Sequence, residues 1–238
     1  MHNCLLVGAQ GGIGRCLLQR LVSDPAVHNL YATHRLPTFL EQSPVQWRQL
    51  DLATPETIDR LVQRLSTEIT HLDVVICATG LLHAQDLAPE KRVRDVNSAS
   101  LQRWFQVNAA GPLTLLAKLA PLLEKSSKPK VMVLSAQVGS IGDNRLGGWY
   151  GYRMSKAALN MGLKTLSVEA ARWRNDAVVA AVHPGTTRTA LSVPFIRGRR
   201  APVREADQTA AKLHALLQRM TTSHHGLFLD ADGSELPW

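Results

Sequence analysis

Three cysteines in 238 residues, Cys4, Cys16 and Cys77, are too few and oddly numbered for a disulfide framework and lack the spacing of a metal site. They are expected as buried thiols in strand or helix segments, with no metal and no redox role. Long apolar runs are missing too. The longest apolar helical stretch, residues 113–123, is interrupted by Lys118, so no membrane span is expected. There is no low-complexity run, no internal repeat and no boundary rich in proline or serine. The first residues read as a strand rather than a basic leader, which gives the expectation of one cytoplasmic domain over residues 1–238. No Gly-x-Ser-x-Gly elbow occurs, which excludes a serine hydrolase of that type. Acidic residues fall short of basic ones, for a net charge of +8, but the basic residues are scattered and no nucleic-acid motif accompanies them. Nucleic acid is therefore not an expected partner. Only Arg197, Arg199, Arg200 and Arg204 cluster.

What is present is alternation. Apolar runs predict strands near 4–8, 29–34, 45–50, 73–78, 130–135, 177–182 and 226–229. Helical patterns at 13–22, 55–69, 99–124, 152–173 and 205–220 lie between most of them. This order predicts a doubly wound α/β fold of Rossmann type, a mostly parallel seven-stranded sheet with helices on both faces. At 45% hydrophobic residues the chain has enough apolar side chains for such a core.

The first predicted strand runs into Gly8-Ala9-Gln10-Gly11-Gly12-Ile13-Gly14 and then into a helix. Gly8 suits the tight turn, Gly12 a backbone approached by a pyrophosphate, and Gly14 close packing of helix on strand. An ordinary glycine-rich loop is the alternative. Further on, Tyr152 and Lys156 stand four residues apart at the start of a helix and share one face. A phenol titrates near ~10 in water, and a fixed cation beside it would ready it to protonate an alkoxide at neutral pH. A Tyr and a Lys at this spacing also occur by chance on solvated helices.

Together these segments resemble the short-chain dehydrogenases/reductases, and the resemblance spans nearly the whole chain. Asp51-Leu52, Cys77-Ala78-Thr79-Gly80, Asn108 in Val-Asn-Ala-Ala-Gly, and His183-Pro184-Gly185 with Thr189 follow in family order. Residues 138–153 and 183–185 are similar to the subgroup of C-factor signalling proteins and sniffer-type carbonyl reductases. The resemblance implies a dinucleotide held by Gly8, Gln10, Gly12, Ile13, Gly14, Leu52, Ala78 and Gly80, with Asp51 at the adenine amino group. Pro184, Gly185, Thr187 and Thr189 would hold the nicotinamide carboxamide, and Lys156 its ribose. It implies hydride transfer between nicotinamide and a carbonyl or alcohol carbon, with Tyr152 as acid/base. Asn108 would hold a water linking Lys156 to solvent, or else merely bend or cap its helix before Gly111-Pro112. A homodimer or homotetramer through the helices at 99–124 and 152–173 is also implied.

Cofactor choice falls on the end of the second strand. An NAD(H) site places a carboxylate there, but residues 31–40 contain no acid, whereas Arg35 would pair with a 2′-phosphate. NADP(H) is therefore expected over NAD(H), with a solvated turn arginine as the alternative.

The chain departs from the family at one catalytic position, where Ser135-Ala136 replaces a pair ending in serine. Ser140 in the next loop is the first candidate to replace the missing hydroxyl and Ser135 the second. Strand alternation counts against Ser135 unless the strand has already ended. Leu191, Val193, Pro194, Phe195 and Ile196 suit an apolar aldehyde, ketone or quinone, with Trp149 and Tyr150 lining its pocket or packing elsewhere. The arginines at 197–204 would attract an anion or simply form a solvated loop. Ala136 also admits a second reading, a C-factor-like signalling protein that binds dinucleotide with little or no turnover.

Overall fold

The computed structural model of the chain describes residues 2–35, 44–173, 176–198 and 202–238. The strands are β1 (His2–Val7), β2 (Val27–His34), β3 (Val45–Gln49), β4 (Val74–Cys77), β5 (Lys130–Leu134), β6 (Val178–His183), β7 (Thr187–Arg188), β8 (Arg204–Glu205) and β9 (Phe228–Asp230). Seven of them form one sheet in the order β3-β2-β1-β4-β5-β6-β9. Each neighbouring pair is parallel, with Leu5 opposite both Tyr31 and Val75, and Leu134 opposite Val182. The short pair β7·β8 stands apart from it.

Seven helices are described: α1 (Gly12–Val22), α2 (Pro55–Glu68), α3 (Ser98–Phe105), α4 (Gly111–Leu123), α5 (Tyr150–Ala170), α6 (Val193–Ile196) and α7 (Ala206–Arg219). The strands are apolar on both sides because both faces are covered. Leu5, Val75 and Val131 pack with Ile58 of α2, Leu119 of α4 and Leu159 of α5. Their neighbours Cys4, Leu6, Ile76 and Met132 pack on the other face with Leu17 and Leu21 of α1 and Leu213 of α7. This is the doubly wound fold expected from the alternation of elements.

One expected helix is not continuous. Between α3 and α4 the turn Gln106–Ala110 widens to π geometry, and the N–H of Gly111 donates to the carbonyl of Gln106. The cause is readable: Pro112 has no N–H to give the carbonyl of Asn108, so the ladder must open there. Asn108 lies in this turn and is buried at 1% exposure. Beyond the carboxyl ends of the strands, Leu82, Leu87, Trp104 and Tyr152 form a separate apolar cluster against Trp149, Leu191 and Phe195. Among the described residues no helix is long and apolar enough to cross a membrane.

Candidate active site

Two cavities adjoin where the strand order reverses, between β1 and β4. The first, about 330 Å³, is walled by residues that include Gly8, Gln10, Thr33, Arg35, Asp51, Leu52, Ala78 and Gly80. The second, about 450 Å³, takes in Gly12, Ile13, Tyr152, Lys156, Pro184 and Thr189. Arg35, Ala78 and Gly80 line both, so the two read as one crevice across the topological switch point.

The glycine turn is built as its spacing requires. Gly8 has φ +83°, and its N–H donates to Thr33 Oγ1 at 3.0 Å, which joins the turn to the end of β2. A Cβ on Gly14 would overlap the carbonyl of Gly8, so Gly14 lets α1 seat on the turn and lines neither cavity. Gly12 differs from expectation. A Cβ there would lie 2.7 Å from Thr189 Cγ2, so in this structure it is Thr189 that closes on the bare backbone. The start of α1 still borders the larger cavity through Gly11, Gly12 and Ile13, a helix end suited to phosphate. Bare backbone, a helix amino end and a crevice of this size fit a dinucleotide.

Tyr152 lies in the first turn of α5, and Lys156 one turn later is 2% exposed. Lys156 Nζ donates to the carbonyl of Leu134 at 3.0 Å. A Cβ on Gly80 would stand 3.8 Å from that Nζ and 4.0 Å from Asn108 Oδ1, so Lys156 and Asn108 meet at Gly80, while Tyr152 and Lys156 line the same cavity. Asn108 Oδ1 accepts from the N–H of Leu81 at 2.7 Å, while its Nδ2 donates to the carbonyl of Leu81 at 2.8 Å and to Ser155 Oγ at 3.0 Å. Its amide thus ties the loop after β4 to α5.

The titration expected of the pair is corrected by burial. Burial pushes the Tyr152 phenol above its ordinary value, where Lys156 was expected to lower it. Burial also brings Lys156 down to about 8, with Cys77 working against the fall. A weakened cation that is bonded to a carbonyl does not offset the desolvation of the phenol, which stays protonated.

Neither serine candidate stands free in the site. Ser140 is buried in the next loop, where its hydroxyl donates to the carbonyl of Trp238 at 3.1 Å and accepts from the N–H of Asp143. It curls toward the carboxyl end of the chain, not toward Tyr152. Ser135 does border Tyr152, just past the end of β5, but its hydroxyl donates to Asn160 Oδ1 at 2.5 Å. Ala136 takes the place between them.

A third cavity of about 180 Å³ opens from Tyr152, walled by Leu82, Ala136, Val138, Trp149, Leu191, Phe195 and Ile196, with Gly185, Thr186 and Thr187 at its side. The rings of Trp149 and Phe195 meet edge-on at 5.1 Å, and those of Trp149 and Tyr152 at 6.2 Å. Val193 and Pro194 are exposed on α6 and do not line it. Arg204 serves the scaffold: its Nη1 donates to the carbonyl of Pro184 at 3.3 Å and its N–H to that of Thr186 at 2.9 Å. Arg199 and Arg200 lie outside the described residues. The site also recruits residues that the sequence did not single out. Thr33 and Leu82 are two, Thr186 could have been suspected from its place beside Pro184-Gly185, and Glu90, whose carboxylate accepts from the N–H of Gly151 beside Tyr152, carries no local signal at all.

A protein-family model described as short chain dehydrogenase matches residues 2–199. The C-signal protein of Myxococcus xanthus is 33% identical over 144 residues, which cover 60% of this chain and 82% of that protein. The solved carbonyl reductase Sniffer of D. melanogaster shares 25% identity and a TM-score of 0.86, with 100% of both chains covered. An NADPH-bound carbonyl reductase from chicken fatty liver has the same fold, with a TM-score of 0.86 at 22% identity over 100% of this chain and 99% of that one.

Proposed function

The chain belongs to the short-chain dehydrogenase family, and from that premise we propose that it is an NADP(H)-dependent carbonyl reductase built as one dinucleotide-binding domain. Tyr152 carries this reading, because it borders both the dinucleotide crevice and the 180 Å³ apolar pocket. Bound in the crevice, the dinucleotide supplies a hydride, so that NADPH, a carbonyl compound and a proton become NADP⁺ and an alcohol. Tyr152 gives its proton to the substrate oxygen as the carbonyl π bond breaks. Its burial keeps that proton in place until charge develops on the oxygen. Lys156 holds the nicotinamide ribose, and its charge favours the phenolate as it forms. A water held at Asn108 links Lys156 to solvent and returns the proton. Arg35, exposed at the rim of the crevice, pairs with the 2′-phosphate, and Asp51 takes the adenine amino group. Pro184, Gly185, Thr187 and Thr189 hold the carboxamide, and the aromatic wall keeps water from an aldehyde, ketone or quinone. NADPH in the chicken reductase supports the choice of cofactor.

We place the protein in the cytoplasm, where its three free thiols suit a reducing compartment, and as a homodimer or homotetramer. Purified protein should oxidise NADPH faster than NADH with a panel of aldehydes, ketones and quinones. Tyr152→Phe should lower kcat by at least about 100-fold. Arg35→Ala should raise KM for NADPH by roughly tenfold and leave KM for NADH unchanged. Turnover that survives Tyr152→Phe would sink the mechanism. Ala136 and the likeness to C-signal favour a second reading, a signalling protein that binds dinucleotide. Tight NADPH binding with no turnover across the panel would select it.

A further inference from the structure

Several polar side chains bordering the apolar pocket are spent on the protein itself. Ser135 Oγ donates to Asn160, and Gln137 Nε2 donates to Asp143 Oδ2 at 2.8 Å. Ser192 Oγ donates to the carbonyls of Thr187 and Thr189. The Thr187 hydroxyl lies 3.1 Å from the Gly185 carbonyl and 2.8 Å from Thr209 Oγ1. His183 is engaged with the surrounding protein, and Thr189 has its methyl against Gly12 on the dinucleotide side. Thr186 is half-buried in the same pocket as Tyr152 and Ala136, its carbonyl is fixed by the N–H of Arg204, and no other described residue bonds its hydroxyl. The Thr189 hydroxyl has no such partner either, but Thr189 also lines the dinucleotide crevice, whereas Thr186 borders the apolar pocket and not that crevice.

A carbonyl oxygen has two lone pairs, and Tyr152 serves one of them. In an apolar pocket the other would go unpaired, at a cost that grows as charge develops there. We infer that Thr186 is a catalytic residue, the second donor to the substrate oxygen, acting from the β6 side where Ala136 gives nothing from the β5 side. Two donors fix the carbonyl plane and hence which face receives the hydride. This role rests on the reductase reading of Tyr152.

The test replaces Thr186 by valine, which removes the hydroxyl at nearly constant volume. We expect kcat to fall on the order of 100-fold, while the NADPH dissociation constant, read by nucleotide fluorescence, and the melting temperature hold. Thr186→Ser should recover most of the loss, and Ala136→Ser should restore rate in the Thr186→Val background. Ala136→Ser in the otherwise unaltered chain should gain little, because the oxygen is already served. An undiminished kcat in Thr186→Val overturns the role, as does a large gain from Ala136→Ser alone. So does a loss on Trp149→Phe, which removes the indole N–H at the same pocket, with none on Thr186→Val. A wild-type protein that binds NADPH but turns over no carbonyl overturns the reductase reading, and the role of Thr186 with it.

Discussion

Glu90, a buried carboxylate, closes over the first turn of α5, the turn that carries Tyr152. Its Oε2 and Oε1 accept from the N–H of Gly151 at 3.1 and 3.3 Å, and its carbonyl accepts from the N–H of Trp149 at 2.5 Å. An anion is favoured at a helix amino end, where N–H groups lack partners. Here it also holds a strained neighbour. Trp149 sits at φ 53° and ψ 42°, a left-handed conformation that costs a residue with a side chain about 1–3 kcal/mol. That conformation sets the indole against Tyr152 and Phe195. Releasing the latch should therefore disturb the pocket wall before it disturbs the crevice. Glu90→Ala is expected to lower kcat/KM by roughly tenfold through KM for bulky carbonyls, with less effect on a small aldehyde and none on NADPH affinity. Steady-state kinetics with a small and a bulky substrate measures this. Equal losses for both, or a lower melting temperature with kinetics intact, would reduce Glu90 to a merely structural residue.

Elements were legible where one period dominates a short window. The strands show as apolar runs because helices cover both faces, and their ends shift by only a few residues between expectation and structure. The break between α3 and α4 enters the sequence reading only as the alternative that Asn108 bends or caps its helix, because the apolar pattern carries on through the π turn and only Pro112 marks the missing donor. The pair β7·β8 is set by partners far along the chain and has no local period. Contacts between helices are equally silent. Asp24 follows α1 and His214 lies in α7, yet Asp24 Oδ2 and His214 Nε2 are 2.8 Å apart with side chains only 8% and 16% exposed. Burial works to raise the Asp24 carboxyl, but the N–H of Ala26, His214 and Gln218 more than offset it and hold it below its ordinary value. The unfolded chain, with a carboxyl near ~3.9, takes up that proton first. The contribution is thus fully present above the unfolded value and is lost as pH falls through the folded one. Asp24→Asn should cost on the order of 1.5–3 kcal/mol at neutral pH, with the gap to wild type narrowing in acid. Melts at pH 7 and pH 3 read the gap directly, and one of equal size at both would show that the charge does not matter.

Across the whole molecule, the site could be read where its chemistry lies in one contiguous motif and could not where crossovers assemble it. Gly8, Arg35, Tyr152 and Lys156 belong to the first kind and meet at the switch point. Thr33, Leu82 and Glu90 belong to the second, Thr186 lies within the motif at Pro184-Gly185 but was passed over, and Ser140 was misjudged because its partner Trp238 lies 98 positions away. The outer face of α5 follows a local period again. Met154, Met161 and Val168 are 46%, 67% and 55% exposed and seven residues apart, so they form one stripe along a 21-residue helix. Ala157 and Thr165 lie between them and add no charge. The stripe is symmetric about Met161, so two copies of α5 crossing antiparallel on a two-fold axis would set Met161 against its own counterpart and Met154 against Val168. The opposite side of α5 carries Tyr152 and Lys156 buried, which leaves the site undisturbed by such pairing. Light scattering after gel filtration should therefore give at least twice the 26.1 kDa of the chain. Met161→Glu would place like charges together at the axis and should yield a monomer that still binds NADPH. A wild-type mass of one chain at micromolar concentration, or an assembly indifferent to Met161→Glu, would rule out this face as the contact between copies.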